Sequence, residues 1–271
     1  MSGPWIAALF ALFAWWFSTG MILVLVRHAD RGGALTRLTY TLAALPVLGA
    51  GIWGFAVTLN MTTVGAAYGA FLSALAIWGW IELAFLTGLI TGPNLYDCPE
   101  EACEWERFVR AWGTIAYHEA LLVIALIALW VFGHGALNPF GLWTYTVLYV
   151  ARISAKLNLF YGVPRINTEF IPDALRHLPS HFRISRLNWI FPISISALTF
   201  AVACWLERLY AAQTGADVAG FALLTAITAL ALLEHWLMVL PLPDAKLWRW
   251  MLPAPKPAKT RMTPPEGHHE F

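Results

Sequence analysis

The stretch GTIAYHEALLVIALIALW, residues 113–130, sets a histidine and a glutamate inside an otherwise apolar run long enough to be a membrane helix. A hydrocarbon core about 30 Å thick takes roughly 20 helical residues to cross. The whole 271-residue chain has that character: 59% of its residues are hydrophobic and 12% are charged, against roughly 25% charged in soluble domains. Fifteen tryptophans fit side chains that favour the boundary between headgroup and hydrocarbon. No basic block is dense enough for nucleic acid, which sets that class aside. The reading is an all-α integral membrane protein.

About seven segments satisfy the length rule: 4–26, 38–59, 65–91, 108–132, 138–157, 187–207 and 217–240. The fifth is the weakest, being aromatic rather than aliphatic and ending in charge. MSGPWIAALF lacks a basic region at its start, so the first segment is expected to stay as a span. With the N-terminus outside, sixteen of the seventeen lysines and arginines fall on the inner side and only Arg208 outside, as retention of basic residues in the cytoplasm requires. The C-terminus is then inside. Spans and short connections occupy 1–240, with cytoplasmic loops at 92–107 and 158–186. Pro164, Pro172 and Pro179 leave room in the second loop for one or two short interfacial helices. Residues 241–271 read as a Pro-rich, partly disordered cytoplasmic tail, of which His268 and His269 are simple members.

Three spans carry ionisable groups toward the inner half of the bilayer. His118 and Glu119 lie about ten residues from an inner helix end, Glu82 about nine and Glu234 with His235 about six, or roughly 15, 13 and 9 Å at the helical rise. Such charges are costly in a membrane and must pair, protonate or hold a guest. Neighbouring residues on a helix point about 100° apart. Either one member of each His-Glu pair faces inward while the other meets a different neighbour, or the helix is locally distorted.

Glu82, His118, Glu119, Glu234 and His235 thus form a candidate polar cluster. One reading is an iron or manganese centre, for which carboxylates and imidazoles from several helices are the usual donors. Contiguous HE and EH depart from the Glu-x-x-His spacing of such centres. A second makes His118 or His235 an axial ligand to bacteriochlorophyll, and a third is a hydrogen-bonded network that fixes helix packing.

Arg152 and Lys156, one turn apart, followed by Asn158 and Arg165, could bind an anionic headgroup or a substrate carboxylate. Basic residues at helix ends more often snorkel to phosphates. His177 and His181 have metal-ligand spacing, but Pro179 between them favours a surface role. Cys98 and Cys103, in CPEEAC, suit neither redox nor zinc loops, and Cys204 reads as packing. Gly65 and Gly69 make a weak GxxxG signal, and Gly49, Gly51 and Gly54 permit close approach of helices. The last span has no lysine for a retinal Schiff base.

The stretches ARISAKLNLFYGVPRINTEFIPDALRHLPSHF and LLEHWLMVLPLPDAKLWRWML, together with FLTGLITGP and YHEALL, resemble the PuhE-type family of photosynthetic complex assembly proteins of purple bacteria. The resemblance covers nearly the whole chain except the tail. It implies an inner (cytoplasmic or intracytoplasmic) membrane protein encoded near the reaction-centre H subunit. Its implied role is in assembly of reaction-centre and light-harvesting complexes or in modulating bacteriochlorophyll supply. The implied partners are subunits of those complexes or bacteriochlorophyll-synthesis proteins. It carries no catalytic residues with it. The competing expectations are a membrane metalloenzyme acting on a tetrapyrrole, carotenoid or quinone, and a proton-linked carrier.

Overall fold

The computed structural model describes residues 3–241. Eight α-helices account for most of them: α1 (Pro4–Arg31), α2 (Gly33–Ala43), α3 (Leu45–Thr58), α4 (Val64–Leu86), α5 (Glu104–Gly133), α6 (Phe140–Tyr161), α7 (Ile190–Ala211) and α8 (Gly215–Leu237). There are no strands among the described residues. The second expected span is two helices, because the chain breaks at Ala44 and restarts with Pro46 in the first turn of α3, where a missing N–H costs nothing. Taking α2 and α3 as one rod, six rods are long and apolar enough to cross a membrane. These are the helices of a multi-pass membrane protein. The seventh rod, α6, is long enough but less apolar.

Several boundaries move from those expected. Helix α1 continues to Arg31, α4 stops at Leu86 before the positive φ of Gly88, and α5 begins at Glu104 inside the expected loop. The expected loop 158–186 loses its start to α6, and where one or two short helices are expected it holds three short 3-10 turns. The tail from residue 242 onward, with His268 and His269, lies outside the described residues.

Helices α4 and α8 are central: 61% and 56% of their most apolar windows are buried, against 17–22% in the other candidate spans. Ala7, Ala11 and Ala14 of α1 pack on Phe71 and Leu75 of α4 and on Leu223 and Ile227 of α8. Small residues at spacings of four and three let backbones come close, the usual way helices associate in lipid. Phe55 of α3, Ile81 of α4, Leu122 of α5 and Tyr145 of α6 form a second cluster. Gly51 and Gly54 sit against Ser73 of α4, whereas Gly65 and Gly49 face open space. Gly65 therefore does not take part in the expected GxxxG contact. The outward faces of α1, α3, α5 and α7 carry exposed Trp, Phe, Leu and Ile, the composition lipid requires.

Candidate functional site

Helix α6 places polar side chains at four alternate positions, Arg152, Ser154, Lys156 and Asn158. Side chains four apart share a helix face, and those two apart point to opposite sides. Each of these residues therefore finds a different neighbour. Arg152 donates to Glu82 Oε2 of α4 at 2.9 Å, and Lys156 donates to Glu119 of α5. On the other side, Ser154 meets His235 Nε2 of α8 at 2.8 Å, and Asn158 donates to Ser194 Oγ of α7 at 2.9 Å. One helix thus supplies a polar partner to four others.

The adjacent His118 and Glu119 are both buried and diverge as the 100° step demands. Glu119 turns to Lys156. His118 turns to α4, its Nε2 3.8 Å from Glu82 Oε1 and its ring stacked on Phe85 with centroids 4.3 Å apart. The ammonium of Lys156 lies 5.7 Å from the centroid of that same Phe85 ring. Glu82 with Arg152 and Glu119 with Lys156 thus pair two acidic with two basic side chains in one layer.

The α5 backbone is also engaged beside this pair. Asn94 N–H donates to Gly113 O, and His118 N–H donates to Thr91 O, both at 3.0 Å. The segment after α4 therefore lies directly on the turn that presents His118. Contact is close enough that a Cβ on Gly92 would stand 2.1 Å from Gly113 O. Of the two expected solutions for this pair, divided neighbours occurs, and α5 remains a continuous helix through His118 and Glu119.

Glu234 does not join the cluster in the same way. It is exposed, while the following His235 is buried between Ser154 Oγ and the Ala231 carbonyl. The four residues expected to form one basic face are likewise separated. Arg152 and Lys156 reach inward to carboxylates of the protein rather than outward to phosphates. Asn158 is buried and bonded to Asn188 as well as Ser194, and Arg165 holds the end of α8 through the carbonyls of Met238 and Leu240.

The metal reading lacks a donor set: no group of three or more His, Cys, Asp or Glu among the described residues could hold an ion. The carboxylates that might have served are bound to Arg152 and Lys156. Axial ligation of a pigment needs open space beside a ring nitrogen, and His118 has no exposed surface while His235 Nε2 faces Ser154.

Some residues of this architecture carry no sequence signal of their role. Arg107 is buried at the start of α5, donates to the carbonyls of Phe160 and His181 at 3.0 Å, and lies 3.8 Å above the Phe160 ring. Asn188 accepts from Ile190 and Phe191 N–H at 2.9 Å, starting α7, and donates to Gly162 O at 2.7 Å. His177 and His181, expected at the surface, are buried beneath the 3-10 turns. Burial is the main cause that pushes both imidazoles below the usual histidine pKa. A Gly, Ser or Asn ahead of an apolar run could have marked Asn188 as a helix start; nothing comparable marks Arg107.

Residues 1–259 match a family described as "Protein of unknown function (DUF3623)". The chain belongs to this family. It is 52% identical over 268 residues to an "Uncharacterized 30.4 kDa protein in puhA 5'region" of Rhodobacter capsulatus, an alignment that covers 98% of each chain. No solved structure matches. The DUF3623 match and the relative's position beside puhA agree with the PuhE-type resemblance in gene neighbourhood and extent.

Proposed function

We propose that this DUF3623 chain is a membrane factor for assembly of photosynthetic reaction-centre and light-harvesting complexes, and that it handles or modulates bacteriochlorophyll supply. The observation that carries the reading is the location of its 52% identical relative in the puhA 5' region of Rhodobacter capsulatus. The geometry favours a factor over an enzyme: Glu82, Glu119, Arg152 and Lys156 are spent on one another. Exposed Trp and Phe on α1 and α5 offer partner helices and pigment an aromatic surface.

The chain is placed in the bacterial inner membrane with seven crossings, the N-terminus outside and the C-terminus inside. Helix α6 supplies the seventh, since its charges are satisfied within the bundle and need not face lipid. The test is deletion of the gene in its host with complementation in trans, read as reaction-centre and light-harvesting absorbance in isolated membranes. Loss of those bands without a build-up of pigment precursors is expected. Unchanged spectra and unchanged photosynthetic growth would overturn the proposal.

A further inference from the structure

A cavity of about 330 Å³ lies where the apolar run of α1 gives way to charge. One wall begins with Leu23 and Val26 and continues to Arg27 and Arg31; the facing wall is the segment 169–173. Apolar lining at one end and ionic lining at the other is the cross-section of an amphiphile.

The charges around it are unequally committed. Asp30 lies 3.7 Å from Arg37 and accepts the Asp173 N–H at 3.3 Å. Arg27 Nε is buried with no hydrogen-bond partner, although a buried guanidinium N–H ordinarily has an acceptor. Arg31 stands one turn further along α1, exposed, with no ion pair among the described residues. The carboxylate of Asp173 is at the exposed rim of the facing wall. Two cations a turn apart, with the acids Glu169 and Asp173 on the wall across from them, match a phosphate and an amine joined by a short link.

We propose that this cavity binds the headgroup of an aminophospholipid such as phosphatidylethanolamine. The phosphate is held by Arg27 and Arg31, the ammonium by Asp173, and the first acyl methylenes run along Leu23 and Val26. A free phosphate would use the arginines alone and leave the apolar wall and the acid unmatched. The site is independent of the assembly role, so failure of either reading leaves the other standing.

The test uses the full chain in nanodiscs of phosphatidylcholine with added phosphatidylethanolamine or phosphatidylglycerol, read by native mass spectrometry of retained lipid after partial delipidation. Phosphatidylethanolamine should be retained roughly tenfold over phosphatidylcholine, the ratio expected for one charge-assisted hydrogen bond. R31Q should lower retention of phosphatidylethanolamine and R27Q abolish it, each acting through the phosphate that every one of these lipids carries. D173N should lower retention of phosphatidylethanolamine while sparing phosphatidylglycerol. Should R27Q fail to fold, L23W, which fills the apolar end, takes its place and should expel the lipid. Equal retention of the three lipids, or retention of phosphatidylethanolamine unchanged in R31Q and L23W, overturns the proposal. Displacement of the lipid by inorganic phosphate with equal thermal protection also overturns it, by making the site one for a free anion.

Discussion

Arg152 of α6 and Glu82 of α4, seventy residues apart in the chain, share a 2.9 Å hydrogen bond, and Glu82 is at the same time the neighbour of His118. Removing one member strands the other. Glu82→Gln or Arg152→Gln alone should cost about 3–5 kcal/mol, whereas replacing both with Met should recover most of it. A double-mutant cycle on thermal unfolding in detergent measures the coupling, and additive single losses would show that the pair is not a unit.

His118 presses its ring on Phe85. His118→Phe should therefore keep the stack and change stability by less than about 1.5 kcal/mol, with complex assembly intact in the complemented host. Abolished assembly from a stably folded His118→Phe protein would give the imidazole a chemical task.

His177 and His181 predict a pH dependence. Each is held below its usual pKa of 6.5, chiefly by burial, so the unfolded segment binds protons more readily than the folded one. The stability due to their neutral forms is complete above about pH 6.5 and is lost as pH falls toward the lower folded values. Asp97 opposes the shift in both; Arg176 adds to it at His177, as Arg107 and Arg110 do at His181. Hydrogen exchange in residues 168–182 should accelerate as pH is lowered through this window, and His177→Asn with His181→Asn should flatten the response.

Gly92 tests the segment laid on α5. A methyl group there would meet Gly113 O at 2.1 Å and the Thr114 carbonyl carbon at 2.7 Å, both backbone atoms with little freedom to move. Gly92→Ala should cost about 1–3 kcal/mol or more and loosen amide protection at His118. A methyl group on Gly65, which faces open space, should leave stability unchanged within about 0.5 kcal/mol.

Hydropathy located the long rods because period and length are local properties of the chain, and the rods at 4–31, 64–86, 104–133, 190–211 and 215–237 follow it closely. It read Glu82, His118 and Glu119 as needing partners for the same reason: burial cost is legible in one helix. The identity of the partners was not. Arg152 and Lys156 look like a snorkelling pair when α6 is read alone, and only the packing of α6 against α4 and α5 turns them inward. Arg107 and the pair His177 and His181 were missed because their burial is made by loops folding over a helix end, which no periodicity reports. Glu234 and His235 show the limit at single-residue scale, since a 100° rotation decides which of two neighbours is enclosed.

The distribution of polar partners along α6 bears on how the chain is made. A segment carrying an ammonium and a guanidinium gains little by leaving a translocon for lipid on its own. Glu82 and Glu119, synthesised earlier, must be at hand to receive it, while Ser194 and His235 arrive only afterward. In the proposed seven-crossing topology, retention of α6 in the bilayer therefore depends on α4 and α5 being in place before α7 and α8 follow.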